Sequence, residues 1–402
     1  MDGFLVLLIC LALSFLGWFY FYFRRMAIPL EISESYKYVF TVFFIDMGLF
    51  VACLLEKLGI CSQIKVLRAF LMLGVFQGDR NLHIRDEQFD NVPVRIYEPK
   101  HPFSEPRRCI VYLHGGVGMV GTIRSYASVC RIYAQNSGTM VVDVGYRLCP
   151  EHPHLAHVED CMSAVIHLLK EARKYGVDPN RIILAGDSSG GTLVSVVCHR
   201  LVTRKDIPRI RAQVLIYPPY QMLDGTLPSY QQNCNVPFLH GKRAFQLAAR
   251  FVTEEPIDVS GFLRNAHVPD DLAVKYRKWI SADHIPDEFK VRGYVPIAPA
   301  QFSEKLYKIS ELGFQKDLCP LLSDDDIIRQ LPDTFLLTCE YDVLRDDGLL
   351  YKKRLEDNGV PVTWLHLKKG FHGIMFRIDI LPFWFKEAEK AMEHIVDFIR
   401  RY

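Results

Sequence analysis

Arg181-Ile182-Ile183-Leu184-Ala185-Gly186-Asp187-Ser188-Ser189-Gly190-Gly191-Thr192-Leu193-Val194-Ser195-Val196-Val197 is the stretch that decides the fold. Its apolar opening reads as a buried strand, and the run from Thr192 onward reads as a helix. Between them the pattern G-x-S-x-G leaves room only for a very sharp turn. A side chain at either flanking glycine would strike neighbouring backbone, and the residue at the apex takes a strained conformation. Ser188 would then project its hydroxyl from the carboxyl end of a sheet. The pentapeptide alone arises by chance in roughly one chain in ten of this length, so the surrounding sequence has to carry the argument.

Cys109-Ile110-Val111-Tyr112-Leu113 is a second strand pattern, and it runs directly into His114-Gly115-Gly116. In isolation this tripeptide is an ordinary strand-ending turn. Placed before a nucleophile elbow it acquires a purpose. Attack on a carbonyl builds negative charge on its oxygen, and each backbone N–H held ready for that charge contributes about 3–4 kcal/mol. Gly115 and Gly116 let the backbone approach a substrate closely, and the N–H of Ser189, next after the nucleophile, completes the expected oxyanion hole.

A base and an acid follow in the order that such an elbow requires. Thr334-Phe335-Leu336-Leu337-Thr338-Cys339 is strand-like and opens into Glu340-Tyr341-Asp342-Val343-Leu344-Arg345-Asp346. Val362-Thr363-Trp364-Leu365-His366 is another strand, followed by Gly370-Phe371-His372-Gly373. Both candidates lie just past strand ends, where catalytic groups gather in open α/β sheets. His372 would take the proton of Ser188, and Asp342 would hold the imidazole tautomer and stabilise its charged form. Glu340, Asp346 and Asp347 compete for the acid role. The last two also suit a helix N-terminus.

Five motifs in sequence carry a family resemblance. His114-Gly115-Gly116, Tyr146-Arg147-Leu148-Cys149-Pro150-Glu151, Gly186-Asp187-Ser188-Ser189-Gly190-Gly191, Asp342-Val343-Leu344-Arg345-Asp346 and Gly370-Phe371-His372-Gly373 resemble the hormone-sensitive-lipase-type α/β-hydrolases, in particular the arylacetamide deacetylase-like branch. The resemblance covers roughly residues 90–400. It implies an α/β-hydrolase fold, a mostly parallel sheet with helices on both faces, with a helical cap and an N-terminal transmembrane helix. It implies a serine carboxylesterase or lipase acting on lipophilic esters, sometimes amides, without cofactor or metal. Carried over by position, the catalytic set is Ser188, Asp342 and His372, with oxyanion donors at Gly115, Gly116 and Ser189. Two positions depart from the family pattern. The loop usually reads His-Gly-Gly-Gly and here has Val117, a stiff β-branched residue that would narrow the acyl pocket. Met119 stands where some relatives have a cysteine able to bridge to the position of Cys339, which argues against that bridge.

The rest of the chain is consistent with this outline. It has 402 residues, 50% hydrophobic, with a formal net charge of +2 and 11 cysteines. That length suits one large α/β domain with a lid. The charge points to neither nucleic acid nor strongly acidic partners. The cysteines are scattered without a C-x-x-C pair, so they signal neither a zinc site nor a disulfide framework, and their odd number leaves a free thiol. His152-Pro153-His154-Leu155-Ala156-His157 reads as a loop entering a helix rather than as metal ligands. The spacing predicts a strand over 139–144, helices over 158–175 and 348–358, and a closing amphipathic helix over 383–401.

The N-terminus adds a membrane signal. Residues 4–23 carry no charge and precede Arg24-Arg25; as a helix they would span about 30 Å, the thickness of a bilayer core. No basic region precedes the run and no small-residue cleavage pattern follows it, so it reads as an anchor over residues 1–25. Charge counting would leave the enzyme in the cytosol. The resemblance implies the opposite, a single-pass type II protein of the endoplasmic reticulum membrane with a lumenal catalytic domain. No N-x-S/T sequon occurs in the chain. Residues 26–90 read as N-terminal cap or membrane-associated helices, because the apolar stretch from Tyr38 to Leu55 contains Asp46, which is costly in lipid. Residues 91–402 form the expected catalytic domain, with a cap insertion at about 220–310. Two functions fit this arrangement: a membrane-anchored serine esterase acting on lipophilic esters, and a catalytically silent relative that binds a lipophilic ligand under its lid. The presence of all three triad candidates favours the enzyme.

Overall fold

The computed structural model describes residues 31–100, 106–152, 154–253, 257–376 and 383–402, together with 5–6, 9–10, 13–14, 17, 19–21, 24, 26 and 28–29. After the N-terminal residues come α1 (Ser35–Lys57) and α2 (Gln63–Leu71), then a hairpin of β1 (Leu82–Phe89) and β2 (Val92–Pro99). Asp90 and Asn91 join the hairpin with φ of 47° and 68°. That is the two-residue turn whose twist matches the flanking strands. Strands and helices then alternate as β3 (Arg107–Leu113), α3 (Ala127–Ser137), β4 (Met140–Val144), α4 (Ala156–Glu171), β5 (Val177–Asp187), α5 (Ser189–Leu201) and β6 (Ala212–Ile216). Short helices follow: α6 (Pro228–Gln232), α7 (Gly241–Val252), α8 (Val259–Leu263), α9 (Asp270–Tyr276), α10 (Glu304–Ser310) and α11 (Asp325–Ile328). The sheet resumes with β7 (Asp333–Tyr341), α12 (Arg345–Asp357), β8 (Val362–Phe371) and α13 (Lys386–Arg400).

All eight strands form one sheet in the order β1-β2-β4-β3-β5-β6-β7-β8. β1 and β2 are antiparallel to each other and β2 to β4, whereas every neighbouring pair from β4 to β8 is parallel. The central strands are apolar along both faces because helices cover both. Val111, Leu113 and Leu184 pack with α4 and α5 on one side. Ile110, Tyr112 and Ile183 pack with α3, α13 and α1 on the other, the alternation that a period of two imposes. The chain leaves β3 in one lateral direction and β5 in the other. This opens a crevice at their carboxyl ends, where α/β sheets bind ligands.

Some sequence boundaries need correction. Leu82–Phe89, assigned with the N-terminal helices, is an edge strand of the sheet. Its interior residues Arg85, Asp86, Glu87 and Gln88 are polar because one edge and much of one face meet solvent, which hides the strand signal. The elbow strand begins at Val177, which pairs with Arg107, so the turn before it is confined to Gly176, with φ of 67°. The helical excursion between β6 and β7 runs on to residue 332, beyond the expected limit near 310.

Half of the expected anchor over residues 4–23 lies outside the described residues; those described are helical, and all but Phe19, whose ring meets Phe43 at 4.9 Å, are exposed. α1 is long and apolar enough to cross a membrane by length and composition. Here it buries Tyr38, Val42 and Phe43 against the domain and exposes Phe40, Phe44 and Phe50. Asp46, in the middle of α1, pairs with Arg243 of α7 at 2.8 Å, so its charge is met by the cap rather than by lipid.

Candidate active site

The turn after β5 has the geometry that its glycines foretell. Ser188 sits at φ 51° and ψ −129°, a region that strains any side-chain-bearing residue. Its N–H donates to the carbonyl of Ile216 at 2.8 Å. A Cβ on Gly190 would lie 2.0 Å from the carbonyl oxygen of Leu113, and one on Gly186 2.5 Å from that of Gly190. Backbone therefore closes on backbone around the serine, and its hydroxyl is pushed into the crevice.

His372 follows β8 in a tight turn completed by Gly373 at φ 80°. Its Nε2 stands 3.0 Å from Ser188 Oγ, and its Nδ1 stands 2.8 Å from Asp342 Oδ2. The other carboxylate oxygen of Asp342 accepts the N–H of Leu344 at 2.8 Å. Asn233 donates to the carbonyls of Asp342 and Glu340 at 2.9 and 3.0 Å and so ties the acid's loop to the cap. The ring of Tyr217 packs 4.8 Å from the imidazole. The rival carboxylates are occupied elsewhere. Glu340 is held by Arg345, Arg292 and His366, and Asp346 by Arg345 and the N–H of Ser229. Asp347 accepts from the N–H of Tyr220 and from Gln221, and burial pushes its carboxyl up to about 7. A hydroxyl on an imidazole whose far nitrogen faces a buried carboxylate is the arrangement that general-base activation of a serine requires.

The loop after β3 departs from expectation. Gly115 donates its N–H to Asp187 Oδ1 at 3.1 Å. It was expected as an oxyanion donor, and the correction is that its N–H holds the loop to the elbow instead. Asp187 also accepts from the hydroxyls of Tyr112 and Tyr126 at 2.9 and 3.0 Å. Burial raises its pKa, while these donors oppose the rise. Gly116 has φ 112°, and a Cβ there would meet the Val120 carbonyl oxygen at 2.1 Å. Among the described residues no acceptor engages the N–H of Gly116 or of Ser189. Val117 takes φ 59°, an outlier for a β-branched residue, and donates its N–H to Ser189 Oγ at 2.8 Å.

This loop has several further supports. His114 is buried next to the Tyr146 hydroxyl at 3.0 Å, and desolvation lowers its pKa to about 4, so it is neutral. Cys149 N–H donates to the Gly118 carbonyl at 2.8 Å. Arg68 of α2 donates to the carbonyls of Met119 and Cys149 and to both carboxylate oxygens of Glu151, all between 2.8 and 2.9 Å. Tyr146 and Glu151 belong to a motif already quoted, whereas nothing in the sequence around Arg68 marks it. All eleven cysteines are free thiols, Cys339 included.

Ser188 and His372 open onto a cavity of about 1070 Å³. Its walls are mostly apolar: Leu49, Phe50 and Phe70 come from α1 and α2, and Phe245 and Phe251 from α7. A cavity of this size and lining accepts a long or bulky lipophilic group.

Comparison with known proteins agrees with this fold. The model of a family with the α/β-hydrolase fold matches residues 110–269 and 290–376, more than half of the chain. Human arylacetamide deacetylase-like 4 is 41% identical over 98% of each chain. Mouse arylacetamide deacetylase is 34% identical over 88% of this chain and 90% of its own. A hyperthermophilic esterase from the archaeon Pyrobaculum calidifontis superimposes with a TM-score of 0.61 at 24% identity, covering 88% of this chain and 97% of its own, a likeness of fold. The chain therefore belongs to the α/β-hydrolase fold family, among the arylacetamide deacetylase-like proteins, and is a carboxylesterase-type hydrolase.

Proposed function

We propose that this protein is a membrane-anchored serine carboxylesterase that hydrolyses lipophilic esters, and arylacetamide-type amides, through an acyl-enzyme on Ser188. The observation that carries this reading is the hydrogen-bonded chain Ser188–His372–Asp342 at the floor of an apolar cavity. Ser188 Oγ attacks the carbonyl carbon while His372 Nε2 takes its proton, and Asp342 stabilises the resulting imidazolium. The N–H groups of Gly116 and Ser189 receive the oxyanion. His372 returns the proton to the departing alcohol or amine. Water, activated by the same imidazole, then releases the acid and restores Ser188. The lipophilic substrate class is supported by the cavity lining, and the amide-bearing class by the names of the relatives.

The anchor is read as residues 4–23, with the endoplasmic reticulum membrane and a lumenal domain carried over from the resemblance. Support comes from the apolar composition of that run and from the exposed aromatic side chains of α1 beside the cavity wall.

Labelling with a fluorophosphonate probe tests the reading. Wild-type protein is expected to label, and Ser188→Ala and His372→Ala are expected not to. A panel of p-nitrophenyl esters of increasing chain length would then show preference for the longer acyl groups. Folded wild-type protein that does not label would overturn the enzyme reading in favour of a silent lipophilic-ligand binder.

A further inference from the structure

We infer that the side-chain hydroxyl of Ser189 is a third donor to the oxyanion, a catalytic residue in addition to the backbone N–H groups. This rests on the esterase reading above. The N–H groups of the loop after β3 differ in what they meet. Gly115 donates to Asp187, and Val117 donates to Ser189 Oγ at 2.8 Å. Of the three successive N–H groups, only that of Gly116 is left for a substrate. With the N–H of Ser189, that makes two backbone donors.

A serine hydroxyl has one proton to give and two lone pairs to receive. The Ser189 oxygen receives the N–H of Val117, which leaves its own proton to be given to another acceptor. Among the described residues no acceptor takes that proton. Ser189 lines the cavity directly beside Ser188, along with Gly116 and Val117. The O–H is therefore free to donate where the carbonyl oxygen of a bound ester sits. Receiving the Val117 N–H also polarises the hydroxyl and strengthens it as a donor. The cost falls on Val117, whose left-handed backbone at φ 59° is a strained conformation for a β-branched residue. In effect the N–H of Val117 reaches the oxyanion through a side chain rather than directly.

The test compares Ser189→Ala, which keeps the backbone N–H, with wild type. Two readouts are used: steady-state hydrolysis of a p-nitrophenyl ester, and inhibition by a trifluoromethyl ketone, whose hemiketal adduct with Ser188 carries the oxyanion. The expected result is a fall in kcat of about 100-fold or more. KM should be nearly unchanged, and inhibition by the ketone should weaken by a similar factor. A structural role for the hydroxyl would lower thermal stability and would not move kcat and ketone affinity together. Unchanged or improved kcat and ketone inhibition would overturn the proposal, because the freed N–H of Val117 would then serve as well. Should the alanine variant misfold, Ser189→Cys preserves the shape with a weaker donor, and the same paired loss, smaller in size, is expected. The two readings fail separately. Wild type that does not label at Ser188 sinks the esterase, whereas labelling lost in Ser188→Ala but undiminished turnover in Ser189→Ala sinks only the role of the hydroxyl.

Discussion

Asp342→Asn is the substitution on which the geometry speaks most directly. The two carboxylate oxygens do different jobs: Oδ2 accepts from His372 Nδ1 and Oδ1 accepts the N–H of Leu344, both at 2.8 Å. An amide cannot satisfy both. With its oxygen toward His372, its NH2 faces the Leu344 N–H, and a buried donor left without an acceptor costs about 1–3 kcal/mol. With its NH2 toward His372, it forces Nδ1 to accept, so Nε2 carries the proton and cannot take one from Ser188. The second orientation is thus favoured by roughly 5–150-fold in population, the Boltzmann equivalent of that penalty. The molecules in the first orientation also lack the negative charge that stabilises the imidazolium. Together these losses place kcat about 10³–10⁴-fold below wild type, or about 4–5.5 kcal/mol of barrier. The assay is p-nitrophenyl acetate turnover at pH 8 alongside the second-order rate of fluorophosphonate labelling, and both should fall together. Turnover within tenfold of wild type would refute the assignment of Asp342. Asp346→Asn is the control. It disturbs the buried pair with Arg345 and is expected to lower thermal stability while sparing the labelling rate of the folded protein.

Two further substitutions probe the walls and the core. Gly48→Ala puts a Cβ 2.8–2.9 Å from the ring of Phe70, which lines the cavity; the ring must yield inward, and kcat/KM for a long-chain p-nitrophenyl ester should fall by about tenfold relative to the acetate. Equal loss on both esters would show that α1 and α2 do not shape the acyl site. Asp143 on β4 is buried, and desolvation pushes its carboxyl up to about 8, so the folded protein keeps a proton there that the unfolded chain releases from about pH 4. Stability from this group is present below pH 4 and declines by about 1.4 kcal/mol per pH unit up to about pH 8. The melting temperature of Asp143→Asn, measured from pH 5 to pH 8, should therefore rise relative to wild type, and a constant difference would refute the shift.

What could be read from the sequence divides along a physical line. Ser188, Asp342 and His372 are legible because each directly follows the end of a strand, where local sterics demand glycine or a loop residue. Loop position favours Asp342 over its rivals without excluding them. Glu340, Asp342 and Asp346 lie within seven positions of one another, and only the packing of Arg345, Arg292 and Asn233 determines which carboxylate faces the imidazole. The same limit explains Gly115. Its residue type suits an oxyanion donor, but the direction of its N–H depends on Asp187, a partner 72 positions away. β1 was missed because an edge strand carries its pattern on one face only. Asp46 looked like a defect in an apolar helix, and becomes intelligible once Arg243 is seen opposite it.

The departure at Val117 illustrates why such distant partners matter to chemistry. Considered alone, the residue is a stiff side chain that narrows a pocket. In the fold, the β-branched residue sits where the backbone favours glycine, and the N–H it turns inward meets a hydroxyl on the neighbouring elbow. Arg68 clamps the far end of the same loop through Met119 and Cys149 and belongs to α2, whose residues Leu67 and Phe70 line the cavity. The wall that would meet an acyl chain and the loop that would meet its carbonyl oxygen are thereby joined through one guanidinium. A substrate group pressing on α2 would strain those bonds, and the strain would reach the loop whose N–H groups are read as oxyanion donors.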